Sequence, residues 1–184
     1  LINTPLDAVS SFDILDILLY LNKEKIISAN KKGDGEAEIT YKDNKNNKIV
    51  SGFIRILFYN NQTNLHPEDK ELLTLILHKS LNRKSSQLEI KLGTAKEIVS
   101  ALGWNEKEEA YTCLLESLQR LYCVTIETDM FLFFNADVFS RTIFSLFSDF
   151  SISSDDEAEC TPFISVTWTG PVFDWINEYY KNMI

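Results

Sequence analysis

The sequence predicts a mixed α+β chain built around two short helices joined by a tight bend, between Thr94 and Leu121. Three observations predict it: helix-period apolar stripes with capping residues at 94–121, period-two alternation on either side, and an ordinary globular composition. Of 184 residues, 45% are hydrophobic and 24% charged, enough for a sizeable core. No run approaches the roughly 20 apolar residues that span a bilayer. The longest stretches, Ile54–Tyr59 and Met130–Phe134, are strand-sized. Leu1–Asp7 carries neither the basic region nor the small-residue cleavage site of a secretory signal, and no Met opens it. A cytoplasmic piece of a longer protein is expected, with no membrane partner.

Each element has its own signal. Ile14, Leu15, Leu18 and Leu21 stand at helical spacing after Ser10 or Ser11, a capping residue. Residues 30–35 are polar and glycine-containing, hence a loop. Strands follow at Glu36–Lys42 and Ile49–Tyr59, joined by the Asx-rich turn 43–47. His66-Pro67-Glu68-Asp69 opens a helix, with Pro67 at its first position and two acids where the helix dipole favours them. Leu72, Leu73, Ile76, Leu77 and Leu81 form its buried stripe. Gln87–Leu92 is a short strand.

The central pair comes next. Thr94 caps a helix, with Glu97 three residues on as a capping box. Ala95, Ile98, Val99 and Leu102 are its apolar positions and Gly103 ends it. Trp104 lies in the turn. Asn105, with Glu108 behind it, caps a second helix whose stripe is Ala110, Tyr111, Leu114, Leu115, Leu118 and Leu121. Tyr122–Glu127 and Met130–Phe134 are strands joined by a tight turn at Thr128-Asp129. Two further strands, Phe139–Phe150 and Phe163–Thr169, flank an acidic loop, Asp155–Glu159. Gly170-Pro171 ends the last strand before a terminal aromatic segment, Val172–Lys181.

Two capped helices across a Gly-containing turn form a helix-turn-helix. With a hairpin behind them and Gln87–Leu92 as third strand, the layout is that of a winged helix. Residues 1–48 are a helix and β-hairpin extension; residues 49–184 are the winged-helix domain.

No catalytic or metal-binding constellation is present. His66 and His78 form no ligand spacing, and the chain has neither a phosphate-cradling glycine loop nor a nucleophile elbow. Asp155–Glu159 lacks the glycine and alternate-oxygen spacing of a calcium loop. Cys113, Cys123 and Cys160 form no CxxC pair, and their setting predicts buried free thiols in a reducing compartment. Neither an enzyme nor a cofactor is expected.

Charge narrows the binding classes. The net charge is −9, distributed as +1 over residues 1–91 and −10 over residues 92–184. A phosphate-binding surface needs basic side chains. The second helix of the pair carries Glu106, Lys107, Glu108, Glu109, Glu116 and Arg120, a poor charge balance for a major groove. The better electropositive group is Lys79, Arg83, Lys84 and Lys91, to which Lys23, Lys25, Lys31 and Lys32 add a face. Lys107 and Arg120 complete the candidate DNA-contacting set.

The stretches Glu97-Ile98-Val99-Ser100-Ala101-Leu102-Gly103-Trp104 and Ala110–Leu121 resemble plasmid replication initiators of the TrfA type. In these a helix ending in Leu-Gly-Trp precedes one of the form Tyr-x-x-Leu-x-x-x-Leu-x-x-Leu. The resemblance covers residues 50–180 and has no counterpart for residues 1–48. It implies the first of two tandem winged-helix domains, the second starting after Tyr180. It implies dimerisation and DNA-backbone contact at the repeats of a replication origin, and leaves room for host replication proteins. Trp104, Tyr111, Phe173 and Trp175 are the candidate interface residues of a homodimer. A winged-helix module that binds only protein, through its acidic half, is the alternative.

Overall fold

The computed structural model describes residues 26–32, 35–43, 48–58, 65–82, 87–129, 142–153 and 162–183. The helix expected at 11–21, the strand at Met130–Phe134 and the acidic loop 155–159 lie outside them. Eight strands and four helices are seen among the described residues: β1 (Ile26–Lys31), β2 (Glu36–Asp43), β3 (Lys48–Phe58), α1 (Pro67–Leu81), β4 (Glu89–Thr94), α2 (Ala95–Ala101), α3 (Glu108–Tyr122), β5 (Val124–Thr128), β6 (Thr142–Ser145), β7 (Phe147–Ser153), β8 (Phe163–Trp168) and α4 (Gly170–Met183). The chain is therefore α+β. Its strands form two antiparallel sheets, ordered β1-β2-β3-β5-β6 and β4-β8-β7.

In the first sheet, β2 and β3 pair along their length, from Glu36↔Arg55 to Asp43↔Lys48. Ala37, Ile39, Tyr41, Ile54 and Ile56 are buried on one face, as period-two alternation requires. Thr128, expected in a turn, is the last residue of β5. Asn30 and Lys31, expected in a loop, belong to β1. Five of the six β1 residues are exposed, so this strand carries no hydrophobic alternation by which to recognise it. The boundary drawn after residue 48 falls behind the first residue of β3, which pairs with β2.

The sequence predicts one strand over Phe139–Phe150; the structure divides it at Leu146. Residues before the break pair with β5, and residues after it pair with β8. Leu146 and Phe147 are both buried. A straight strand sends neighbours to opposite faces, so two consecutive core residues require a bend. The bend is held by Leu146 N–H donating to the Val124 carbonyl at 2.9 Å and by the Thr169 hydroxyl donating to the Ser145 carbonyl at 2.7 Å. Beyond it, Phe147 lies against Trp168 with ring centroids 4.6 Å apart. The Trp168 indole N–H reaches the Ser80 hydroxyl of α1 at 2.9 Å, which itself donates to the Ile76 carbonyl at 2.7 Å. A buried polar pair is thus satisfied inside the core.

β4 corrects a second expectation. It does not join the strand after α3; it pairs with β8, in the other sheet. β5 pairs instead with β3 and β6.

The helices start where their caps place them, with one exception. α1 begins at Pro67. α2 begins after Thr94, whose backbone N–H donates to the Glu97 carboxylate at 2.7 Å while the Glu97 N–H donates to the Thr94 hydroxyl at 3.2 Å. α3 starts at Glu108 rather than directly after Asn105. Lys107 is its N-cap, and the Asn105 carbonyl accepts from Lys107 N–H at 2.7 Å in a turn of its own. Gly103 makes the bend between the helices with φ of +70°. α4 packs on α1, and its Trp175 meets Phe144 of β6 edge-on at 5.4 Å.

Gly103→Ala is expected to lower stability by about 1–2 kcal/mol, the cost of a Cβ in the left-handed region. No atom lies within 4 Å of that Cβ position, so the loss measured by chemical denaturation reports backbone strain alone. A pH test follows from the capping box. Hydrogen bonds from Thr94, the backbone N–H first, hold the Glu97 carboxyl below its ordinary value of 4.5. A depressed carboxylate contributes stability that is present above its unfolded pKa and lost as pH falls through the folded one. Thermal midpoints of Glu97→Gln and the parent chain should therefore differ near neutrality and converge at acid pH below the glutamate range.

Candidate functional site

The candidate site is built on α2, its turn, α3 and the adjoining β7–β8 strands. α3 is strongly two-faced: Leu114, Ser117, Leu118 and Leu121 are buried. Glu108, Glu109, Thr112, Leu115, Glu116, Gln119 and Tyr122 are exposed. At 3.6 residues per turn these seven fall on one side of the helix. Leu115, expected in the buried stripe, is 45% exposed.

Arg120, placed by sequence among the phosphate-contacting residues, points inward. Its Nε and a terminal nitrogen donate to the Asp69 carboxylate at 2.8–3.1 Å, and the terminal nitrogen reaches the Ser117 hydroxyl at 3.0 Å. The Asp69 side chain is 0% exposed and that of Arg120 only 12%. The hydrogen bond to Asp69 raises the guanidinium pKa further. This cation is engaged in the helix packing and is not presented to a phosphate.

The other candidates divide. Lys79 is half-buried in the last turn of α1, close enough to Glu97 to help lower its pKa. Lys91 is exposed on β4, and Lys96, which carries no sequence motif, is exposed in the first turn of α2. Arg83 and Lys84 lie outside the described residues, as do Lys23 and Lys25. Lys32 pairs with Glu38 at 2.7 Å. Lys107 is exposed at the α3 cap. It lines a shallow cleft of about 480 Å³ with Glu108, Glu109, Thr112, Cys113 and Glu116. Cys113 and Cys123 are free and half-buried, and burial pushes the Cys113 thiol up. Cys160 lies outside the described residues.

Of the four expected interface residues, Trp175 is 1% exposed. It belongs to the core and presents no surface to a second subunit; its aromatic spacing was a packing signal. Trp104 is half-buried, and its indole donates to Glu71 at 2.6 Å, tying the bend to α1. Tyr111 and Phe173 are half-buried against the core. Among the described residues there is no cluster of three or more His, Cys, Asp or Glu able to hold a metal, and no helix long and apolar enough to cross a membrane.

Removing one partner of a buried ion pair leaves an uncompensated charge and costs about 3–5 kcal/mol. Arg120→Met is expected to destabilise by that amount in urea titration. Asp69→Leu combined with Arg120→Met should recover much of it, because no lone charge then remains buried.

No protein-family model matches the chain, and no curated protein sequence does. Crystal structures similar to it include two of RctB domains. One, of a selenomethionine derivative of domains 2 and 3 of RctB, has a TM-score of 0.52 at 11% identity over 87% of this chain and 61% of that one. The other, also of RctB domains 2–3, has a TM-score of 0.49 at 10% identity over 86% of this chain and 58% of that one. The chain therefore spans less than two thirds of the structures it matches. At such identity, the first likeness is one of fold.

Proposed function

We propose that residues 67–168 form a winged-helix unit of replication-initiator type, acting with DNA at a replication origin. The carrying observation is topological. In chain order α1, β4, α2, α3, β7 and β8 run helix, strand, helix, helix, strand, strand, and β4 closes on β8 in the order β4-β8-β7. In this reading the wing is the β7–β8 pair, and β5 and β6 are an insertion that serves the first sheet. The fold likeness to domains of RctB, a replication initiator, supports the same class. The TrfA-type resemblance of Glu97–Trp104 and Ala110–Leu121 is its finer form.

Under this proposal the chain assembles and binds rather than catalyses. Lys79, Lys91 and Lys96, with Arg83 and Lys84, would meet the DNA backbone. Base reading, dimerisation and engagement of host replication proteins would involve further surfaces, a second winged-helix domain among them. α3 is a poor reader of bases, because its exposed face carries Glu108, Glu109 and Glu116.

The test is a salt titration of binding to a duplex of tandem repeats, with a random duplex as comparison. Each phosphate neutralised contributes a slope of about −0.9 in log affinity against log salt. Lys79→Glu with Lys91→Glu should weaken binding to both duplexes and reduce that slope by about two contacts. An unchanged slope would remove these lysines from the interface, and no binding even at low salt would remove DNA as a direct partner.

A further inference from the structure

A strip of apolar surface runs from α3 onto β7. Leu115 and Tyr122 are 45% and 40% exposed, and seven residues of helix separate them by about 10 Å along the axis. The Tyr122 ring meets Phe150 of β7 edge-on, with centroids 5.4 Å apart. Phe150 and Ile152 lie opposite Val166 and Ile164 and so share their face of the sheet. Val166 and Ile164 are buried, whereas Ile152 is 45% exposed. Tyr122 and Phe150 thus join helix and strand, with exposed Leu115 two turns earlier on α3 and exposed Ile152 two residues later on β7 extending an apolar ledge.

Charge says what covers it. On the far side of the same helix face, Glu108, Glu109 and Glu116 border the cleft of about 480 Å³, with Lys107 as its one cation. Nucleic acid and anionic lipid are repelled by such a border. A second copy would bring Lys91 and Lys96 on elements whose Ile90, Leu92 and Ala95 are buried, charge without apolar anchors. The complementary occupant is a different polypeptide that is basic and amphipathic, with apolar anchors for the ledge and Lys or Arg side chains for the cleft. We propose that the exposed face of α3, from its acidic cleft to the apolar residues it shares with β7, docks a basic amphipathic segment of a partner protein. The helix that a DNA-reading module would insert into a major groove serves here as a protein-recognition surface. This proposal depends on the geometry of α3 and β7 and not on an origin-binding role.

The test uses the whole chain and a fluorescent amphipathic peptide of Lys and Leu, with a Glu/Leu peptide of the same pattern and a short duplex as comparisons. Saturable binding of the Lys/Leu peptide alone is expected. Glu109→Lys with Glu116→Lys should weaken it about tenfold or more, equivalent to about 1.4 kcal/mol, and Leu115→Ser should weaken it without altering the salt dependence. Glu38→Lys with Asp174→Lys makes the same charge change at exposed positions on β2 and α4 and should leave affinity unchanged. Circular dichroism melts confirm that each variant is folded. Equal loss in the off-face pair would reduce the effect to net charge and overturn the proposal. So would unaltered binding in the Glu109/Glu116 pair, or competition by the duplex for the α3 face. Failure of the lysine substitutions to affect DNA binding, by contrast, bears on the origin-binding role and leaves this face untouched.

Discussion

The Asp69 carboxylate organises the helical part of this chain. It sits in the first turn of α1, takes the His66 backbone N–H at 2.8 Å, and is gripped from the other side by Arg120 of α3. Removing a carboxylate and a guanidinium from water costs several kcal/mol per ion. Here the geometry compensates, because both partners are multiply hydrogen-bonded and Ser117 takes a remaining donor. The pair fixes the start of α1 against the end of α3, and Trp104 fixes the intervening bend through Glu71. It also determines the charge of the outer surface. Arg120 is the one basic residue within Glu108–Tyr122. That side chain is turned to Asp69, and only its remaining terminal nitrogen, 3.7 Å from Glu116, reaches toward the three glutamates of the exposed face. A requirement of packing thereby sets the electrostatics of binding.

A second constraint acts at the corner where β6 passes into β7. With Leu146 and Phe147 both buried, the chain leaves one sheet and enters the other within a single residue. The first sheet is held across its strands by Glu36, Arg55 and Glu127, with Arg55 within 3.2 Å of each acid. Arg55 also lies over the Phe53 ring. The hydrogen bonds between Phe53 and the Thr128–Asp129 end of β5 extend this lock. The N-terminal strands are therefore joined to the segment that follows α3, far away in sequence. The second sheet is then free to present β7 alongside α3, where Tyr122 and Phe150 meet.

What was legible in the sequence follows from these constraints. Local chemistry announced the helices: Pro67, the Thr94–Glu97 box and Gly103 each act within one turn, so their positions could be read directly. Strands β2, β3 and β8 were legible from alternation. Strand partners were not, because pairing is decided by tertiary geometry; β4 lies beside β8 for reasons no local pattern carries. β1 was missed for lack of a buried face. The break at Leu146 had a usable signal, two adjacent large apolar residues in an otherwise alternating run. For the site, composition correctly marked α3 as acidic. Arg120 and Trp175 could not be placed by type: an arginine at helical spacing is equally consistent with solvent, phosphate or a buried acid, and Asp69 lies 51 residues away in sequence. Leu115 looked like core because it lies beside Leu114, yet it falls with exposed Thr112 and Gln119 outside the buried arc of Leu114, Ser117, Leu118 and Leu121.

The resulting distribution of charge bears on how such a module acts. The exposed lysines of β4 and the start of α2 lie in one stretch of chain, Lys91 to Lys96, and the glutamates of α3 begin little more than a turn beyond the bend. Opposite signs are thus carried on consecutive elements of one rigid unit, whose relative placement is set by the Gly103 bend and the Asp69–Arg120 pair. Beyond a Debye length, roughly 8–10 Å in physiological salt, the field of either element is screened. Each proposed partner would therefore sense mainly the element it touches. Under the two proposals, nucleic acid would lie on one element and a basic protein on the next, and neither would have to displace the other. Under the same proposals the acidity of α3, a poor match to a major groove, would serve to bring two partners of opposite charge together.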